Sequence, residues 1–254
     1  SNAFNIWMTV LFGVLWGIGG LTFGLSMRYL GVALGQSIAL GTCAALGTIM
    51  GPVLLNIFFP AEDALSKLTF AVLAGVAVTL VGIAIIGVAG SMKAASLSDE
   101  EKKAAVKDFN FPKGLAIALL AGFMSGCFNV GLEFGKDINF GDLTPDIYKT
   151  LPATLLVTLG GFVTNAAYCF YQNTKNKTFG DYAKGGVIGN NLLFCALAGA
   201  LWYSQFFGLS LGKGFLTSSE TLMTLSFCIL MALNVTFSNV WGIILKEWKG
   251  CSPK

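Results

Sequence analysis

The chain has 254 residues, of which 55% are hydrophobic and only 11% are charged. Soluble domains usually carry about 25% charged residues, so this composition excludes an ordinary water-soluble fold and places the chain among membrane proteins. The net charge of +3 is too small to indicate a nucleic-acid partner. The lysines also lie in loops rather than along one face.

The composition also lacks the residues on which common enzyme sites depend. No histidine is present, which removes the HExxH zinc motif and the usual base of a serine or cysteine nucleophile. The phosphate loop GxxxxGKS/T of an ATP-driven pump is absent as well. The six cysteines form no CxxC pair, and we interpret them as small packing residues. We therefore expect no enzyme, no metal and no cofactor.

Seven apolar segments are long enough to cross a bilayer, since a helix needs about 20 apolar residues to span a hydrocarbon core of about 30 Å. Lipid cannot satisfy backbone N–H and C=O groups, so each segment is predicted to be helical. In chain order the predicted spans are 4–27, 33–58, 69–90, 113–134, 150–173, 187–210 and 220–245. The predicted fold class is an all-α, polytopic membrane helix bundle.

The segments between the spans divide the chain. The expected organisation is a tag remnant at 1–3, three spans in 4–90, a polar loop at 91–112, four spans in 113–245 and a tail at 246–254. The polar loop is expected to contain a short surface helix with Ser98 as its N-cap. Pro112 fits the first turn of the span that follows the loop.

Lysine and arginine residues are divided unequally between the two sides of the predicted bundle. Twelve lie on the side that holds Arg28, the 91–112 loop and the tail, and four lie on the other side. The positive-inside rule makes the first side cytoplasmic. Arg28, at the end of the first span, is expected to reach the lipid headgroups and fix this orientation.

Glycines recur at helical spacing in the first span. Gly13, Gly17, Gly20 and Gly24 are four, three and four residues apart, which places them on one helical face. Lipid gives no hydrophobic drive between helices, so such faces permit the close backbone approach on which packing depends. We predict a helix-packing face. Two interpretations stay open: static packing, and a flat surface past which a neighbouring helix can also slide.

Uncharged polar and aromatic residues inside the spans are the candidate substrate ligands, because a polar group in the bilayer usually faces other helices or a water-filled cavity. The candidates are Trp16, Asn129, Asn165, Trp202, Gln205 and Asn234. Trp202 and Gln205, at i and i+3, suit a sugar ring and its hydroxyls, but Trp202 also fits the role of an interfacial anchor. For Asn165, ligand contact and a helix–helix hydrogen bond are equally open.

Glu133 is the one carboxylate that lies inside a predicted span rather than at its end. It continues a polar stripe formed by Ser125 and Asn129, and it is the candidate proton-coupling residue. A solvated carboxylate near the surface is the alternative interpretation, and Asp137 and Glu220, at span ends, are the other proton-binding candidates.

Amides, hydroxyls and aromatic rings suit a small, neutral, hydroxyl-rich solute better than an ion.

Three motifs resemble the L-rhamnose–proton symporter family of the drug/metabolite transporter superfamily. They are WGIGGLTFGLSMRYLG (16–31), WYSQFFGLSLG (202–212) and LKEW (245–248). The resemblance implies a ten-helix fold of two inverted five-helix repeats and proton-driven sugar uptake across the inner membrane. Placing the polar loop at the repeat junction makes these spans the third to the ninth of ten, with the first two helices and the last absent. The candidate site residues rest on chemistry rather than on this resemblance.

The leading hypothesis is a secondary active transporter that takes up L-rhamnose or a similar deoxy sugar with a proton, in the bacterial inner membrane. One alternative is a metabolite exporter or exchanger of the same superfamily, because the direction of transport follows the gradients. A seven-helix receptor or sensor is another alternative, which the short, glycine-rich connections disfavour. The expected partners are the lipid bilayer and a small neutral sugar.

Overall fold

The computed structural model describes residues 2–58, 60, 64–96, 98, 100, 106–136, 138, 148, 150–185, 188–216 and 218–249. Its long elements are helices: α1 (Asn2–Leu30), α2 (Val32–Phe58), α3 (Phe70–Ser96), α4 (Phe111–Gly135), α5 (Leu151–Asn176), α6 (Ile188–Phe215) and α7 (Glu220–Ile244). Over this described part of the chain, seven helices are long and apolar enough to cross a membrane. The predicted all-α bundle with seven spans is confirmed.

Most of the helices run a few residues beyond the predicted spans at one end or both, whereas α7 ends one residue earlier than predicted, at Ile244. The third span was predicted to end at residue 90, but α3 continues to Ser96, because a helix can extend into the headgroup region, where polar side chains are solvated. The start of α4 agrees with the sequence: Asn110 caps it by accepting a hydrogen bond from Lys113 N, and Pro112 lies in the first turn. The surface helix expected after Ser98 falls mostly outside the described residues.

The centre of the bundle is α4, which packs between α1 and α2. On the outer side of α1 lies α5, and on the outer side of α2 lie α3 and α7. The most peripheral helix is α6, in which only Phe206 and Ser210 are buried. Arg28, Lys93 and Glu247 lie at one end of the bundle, here called the Arg28 end. Lys67, Glu133 and Lys213 lie at the other, the Lys213 end.

The predicted glycine face of α1 packs against α5 at two of its four positions. A Cβ on Gly17 would lie 2.6 Å from the Thr164 Cβ, and one on Gly13 would collide with the carbonyl oxygen of Val157. Gly20 is farther away, 4.0 Å from the Asn165 amide nitrogen, and no atom of the described residues lies within 4 Å of a Cβ on Gly24. Close backbone approach is therefore needed in the first half of the stripe.

A second glycine on α1, outside that stripe, makes the contact with α4. A Cβ on Gly19 would lie 2.7 Å from the backbone nitrogen of Ser125. The two glycine faces, one toward α5 and one toward α4, let α1 pack between these helices. The helical spacing of the predicted stripe, Gly13 to Gly24, did not predict this contact between Gly19 and α4.

The LKEW motif fastens the Arg28 end of the bundle. The Glu247 carboxylate is 7% exposed and accepts hydrogen bonds from Val32 N at 2.8 Å and Ala33 N at 3.0 Å. These are the first free N–H groups of α2, where the helix dipole favours a negative charge. The turn before them depends on Gly31, whose φ of +86° is strained for other residues.

Lys93 joins α3 to the same structure. Its ammonium group is buried, donates to the backbone carbonyl of Glu247 at 2.5 Å, and lies 4.9 Å from the centre of the Trp248 ring. A buried lysine needs such partners, because an unpaired charge away from water is costly. We call Val32, Ala33, Lys93, Glu247 and Trp248 the Glu247 clasp. It ties the end of α7 to the start of α2 and the end of α3.

Arg28 pairs with a loop carboxylate. Its Nε lies 2.6 Å from Asp108 Oδ2 in the segment before α4, with both side chains well exposed. The hydrogen bond from Arg28 holds the pKa of Asp108 below its usual value. The stabilisation is present at neutral pH and is lost as the pH falls through this lowered pKa. Solvent screening keeps the contribution small.

Candidate solute-binding site

A cavity of about 260 Å³ opens between α1, α2, α4, α6 and α7. We call it the aromatic cavity. It is lined by Trp16, Gly20, Phe23, Gln36, Leu40, Cys43, Ser125, Phe128, Trp202, Gln205, Phe206, Phe227, Met231 and Asn234. The structure thus brings together four of the six predicted ligand residues, Trp16, Trp202, Gln205 and Asn234, from three helices. None of the lining residues carries a charge.

The rings form a continuous wall of this cavity. Trp16 and Trp202 are stacked, with ring centres 5.8 Å apart and planes at 18°. Phe128 lies 5.1 Å from Trp16 and 4.9 Å from Phe206, and Phe206 meets Trp202 edge-on at 5.1 Å. Such offset and edge-on arrangements are favourable for aromatic rings. The wall offers a flat apolar surface next to polar groups.

The position of Trp202 bears on the choice between anchor and ligand. Trp202 lies in the middle of α6. At a rise of 1.5 Å per residue, it is about 21 Å along the helix axis from Ile188 and about 20 Å from Phe215. Interfacial tryptophans lie at the membrane surface, whereas this one lies near the centre of its span. Depth therefore favours a role inside the bundle.

The polar groups of the cavity are three amides and a hydroxyl. The amide nitrogens of Asn234 and Gln205 donate to carbonyls of their own helices, Leu230 O at 3.0 Å and Trp202 O at 2.9 Å. Gln36 donates to the Met27 sulfur at 3.6 Å, a weak interaction. Among the described residues, the amide oxygens of Gln36, Gln205 and Asn234 have no hydrogen-bond donor. These oxygens can accept hydrogen bonds from solute hydroxyls.

The two other predicted ligand residues lie elsewhere. Asn129 is 8% exposed and donates to the carbonyl of Gly47 on α2 at 2.7 Å. Asn165 donates to Gly161 O at 2.9 Å and lies 3.5 Å from Gly17 O, at the contact between α5 and α1. Neither lines the aromatic cavity. Both amides connect neighbouring helices.

Glu133 lines a second cavity, of about 190 Å³, at the Lys213 end. We call it the charged cavity; its lining residues are Thr48, Pro52, Lys67, Asn129, Glu133, Lys136, Lys213, Met223 and Thr224. Glu133 Oε2 lies 3.4 Å from Lys136 Nζ and 3.9 Å from Lys67 Nζ, and its side chain is 25% exposed. Glu133 thus pairs with two lysines, and its side chain is partly exposed although the Oε2 atom itself is buried. Asp137 and the side chain of Glu220 lie outside the described residues.

Several lining residues were not predicted from the sequence. Gln36 had a usable signal, because it is the only amide in the first half of the long apolar run that forms α2. Phe128 and Phe227 had none, since the chain contains 21 phenylalanines and periodicity does not distinguish those that face a cavity from those that face lipid.

Comparison with known proteins gives one consistent result. The family model described as L-rhamnose-proton symport protein (RhaT) matches residues 2–254. Similar curated proteins include the L-rhamnose-proton symporters of Yersinia pestis (strain Pestoides F) and Yersinia pseudotuberculosis serotype O:1b (strain IP 31758). Each is 34% identical over 257 residues, which cover 96% of this chain and 70% of the relative. No solved structure gives a significant match.

Proposed function

The chain belongs to the L-rhamnose-proton symporter family, and from that premise we propose that it carries L-rhamnose or a similar deoxy sugar into the cell together with a proton. It is a multi-pass membrane protein of a transporter family, not an enzyme. The Arg28 end faces the cytoplasm of a bacterium, as its excess of lysine and arginine indicates. The observation that carries the proposal is the uncharged, aromatic and amide-lined cavity.

The chemistry of this cavity fits a deoxy sugar. The C–H face of a sugar ring is apolar and can pack on the rings of Trp16 and Trp202, while its hydroxyls can donate to the oxygens of Gln36, Gln205 and Asn234. Drug-sized ligands need about 300 Å³ or more, so a cavity of about 260 Å³ suits a single monosaccharide. A charged solute would find no counter-charge on these walls.

Transport by the reconstituted protein tests the proposal. Labelled L-rhamnose is supplied to proteoliposomes with and without an inward proton gradient, and with a protonophore. We expect accumulation above equilibrium only with the gradient, and alkalinisation of the medium when sugar is added. Facilitated flux without either effect would contradict proton symport, and no saturable L-rhamnose flux would contradict the proposed substrate.

Replacement of Trp202 by alanine is expected to weaken L-rhamnose binding by about tenfold, since a stacked aromatic contact contributes up to about 1.5 kcal/mol. Equilibrium binding to the purified protein measures the change. Trp7→Ala is the matched control, because Trp7 is 73% exposed on the outer surface of α1. Equal binding by the two variants would remove Trp202 from the site.

Replacement of Glu133 by glutamine is expected to abolish uphill accumulation of L-rhamnose and to spare sugar exchange at equal concentrations. The amide keeps the size and polarity of the side chain but cannot take up and release a proton. Asp181→Asn is the control, because Asp181 is an exposed carboxylate paired with Lys184. Unchanged accumulation by the Glu133 variant would place proton coupling at another residue.

A further inference from the structure

The aromatic cavity and the charged cavity lie one after the other along the same three helices. On α4, Ser125 and Phe128 line the first, and Asn129 and Glu133 line the second. The same order holds on the other two helices: Cys43 and then Thr48 on α2, and Phe227 and then Thr224 on α7. On each helix the nearest lining residues of the two cavities are at most about one and a half turns apart. The two cavities are therefore successive parts of one path.

The path is interrupted by four residues, Gly47, Gly126, Asn129 and Phe227, which we call the partition. Asn129 bridges α4 to α2 through its hydrogen bond to Gly47 O at 2.7 Å, and Phe227 is 3% exposed. A Cβ on Gly47 would lie 3.3 Å from the Phe227 ring and 3.5 Å from the Asn129 Cβ. A Cβ on Gly126 would lie 3.1 Å from Gly47 N. The three helices meet here without room for a solute.

We propose that the partition is the gate through which the solute passes between the two cavities. The hydrogen bond from Asn129 to Gly47 O holds this gate closed. The inference rests on the proposed function, because a transported solute must cross from one cavity to the other. Asn129 suits this role because its amide already donates to a helix carbonyl and can exchange that acceptor for a solute hydroxyl. Rotation of the Phe227 ring then opens the space beside Gly47.

The gate also adjoins the candidate proton site. Glu133 lies one helical turn beyond Asn129, and both contact the same glycine of α2. A Cβ on Gly51 would lie 3.1 Å from Glu133 Cγ and 3.8 Å from Asn129 Nδ2. A shift of α2 against α4 at this point moves the environment of both side chains together. The partition thus connects the charged cavity mechanically with the aromatic cavity.

Narrowing the gate is the first test. Gly47→Ala places a methyl group between Phe227 and Asn129, and it is expected to slow L-rhamnose exchange about tenfold, which corresponds to a barrier higher by about 1.4 kcal/mol. Binding affinity is expected to stay within twofold, because Gly47 itself does not line the aromatic cavity. Gly82→Ala, with no atom of the described residues near its Cβ, is expected to change neither. Wild-type exchange by Gly47→Ala would overturn the gate, whereas no exchange by the unmodified protein would overturn the proposed function.

Loosening the gate is the second test, and it needs no solute. Cys43 lines the aromatic cavity and is kept as the only thiol by replacing the other cysteines with serine or alanine. A membrane-impermeant thiol reagent is applied from the Lys213 end. We expect it to label Cys43 about tenfold faster after Asn129→Ala, which corresponds to a barrier to gate opening that is lower by about 1.4 kcal/mol. The matched control is Asn239→Ala, because Asn239 also donates to α2, at Ser37 Oγ 2.7 Å away, outside both cavities.

A merely structural role of Asn129 would leave the sidedness of labelling unchanged, or would change it from both ends alike. Faster labelling from the Lys213 end alone therefore supports the gate. Equal labelling of the parent and the Asn129 variant from that end would overturn it. If Asn129→Ala fails to fold, Phe227→Leu, which keeps an apolar side chain but shortens it, is examined in the same way.

Discussion

Replacement of Glu247 by alanine is expected to lower the free energy of unfolding by about 3 kcal/mol, because a buried donor that loses its acceptor costs about 1–3 kcal/mol. Two backbone N–H groups of α2 lose their acceptor. Lys93 keeps the backbone carbonyl of residue 247 as its acceptor, so this change does not remove its hydrogen bond. The Glu247 clasp holds three helices at the Arg28 end, so the loss affects the whole bundle rather than the tail alone.

Thermal unfolding of the purified protein in detergent measures this effect. A loss of about 3 kcal/mol corresponds to a fall of about 6–12 °C in the midpoint for a domain of this size. Glu247→Gln keeps one acceptor oxygen and is expected to fall between the parent and the alanine variant. Lys249→Ala, an exposed change two residues away, is the control. A midpoint for Glu247→Ala equal to that of Lys249→Ala would show that the Glu247 carboxylate contributes nothing to stability.

Replacement of Gly17 by leucine is expected to prevent α5 from packing on α1. The first added carbon would already lie 2.6 Å from the Thr164 Cβ and 2.9 Å from the carbonyl oxygen of Gly161, so the helices must separate. Separation also removes the hydrogen bond of 2.8 Å from the Thr164 hydroxyl to Val14 O. Overpacking a core costs about 1–3 kcal/mol and sometimes more, and a helix–helix contact in lipid has only packing to replace it.

Gly24→Leu is the matched control, because Gly24 belongs to the same sequence stripe but has no atom of the described residues within 4 Å of its Cβ position. Size-exclusion chromatography after purification compares the two variants. We expect Gly24→Leu to give the yield and single peak of the parent, and Gly17→Leu to give low yield and aggregated protein. Two identical, monodisperse profiles would contradict the packing of α1 against α5.

The helices were predictable because the bilayer allows few alternatives. A run of about 20 apolar residues must satisfy its backbone internally, which fixes both its conformation and its approximate limits. Local signals then placed details such as Pro112 in the first turn of α4. Periodicity also placed Gly13 and Gly17 on one face of α1, but it did not identify α5 as the helix they contact.

The candidate site was only partly predictable, because its residues come together from different helices. Trp16, Trp202 and Asn234 were selected one by one as polar or aromatic groups inside spans, and the bundle brings them to one cavity. The same reasoning selected Asn129, which the fold places in the partition instead. A residue's depth and face follow from sequence, but its partners across a helix interface depend on packing.

The role of Glu247 had no signal in the sequence. It lies in the tail, where a carboxylate among lysines is ordinarily a solvated residue. Only the left-handed turn at Gly31 brings the start of α2 within reach of it. Glu247 caps a helix whose start lies more than 200 residues earlier in the chain. Local sequence patterns do not encode a contact between residues so far apart.

An experimental structure with L-rhamnose bound would test the assignment of the aromatic cavity most directly. The sugar is expected to lie against the rings of Trp16 and Trp202, with its hydroxyls within hydrogen-bond distance of Gln36, Gln205 or Asn234. Sugar density confined to the charged cavity, or an aromatic cavity without sugar at a saturating concentration, would contradict the assignment.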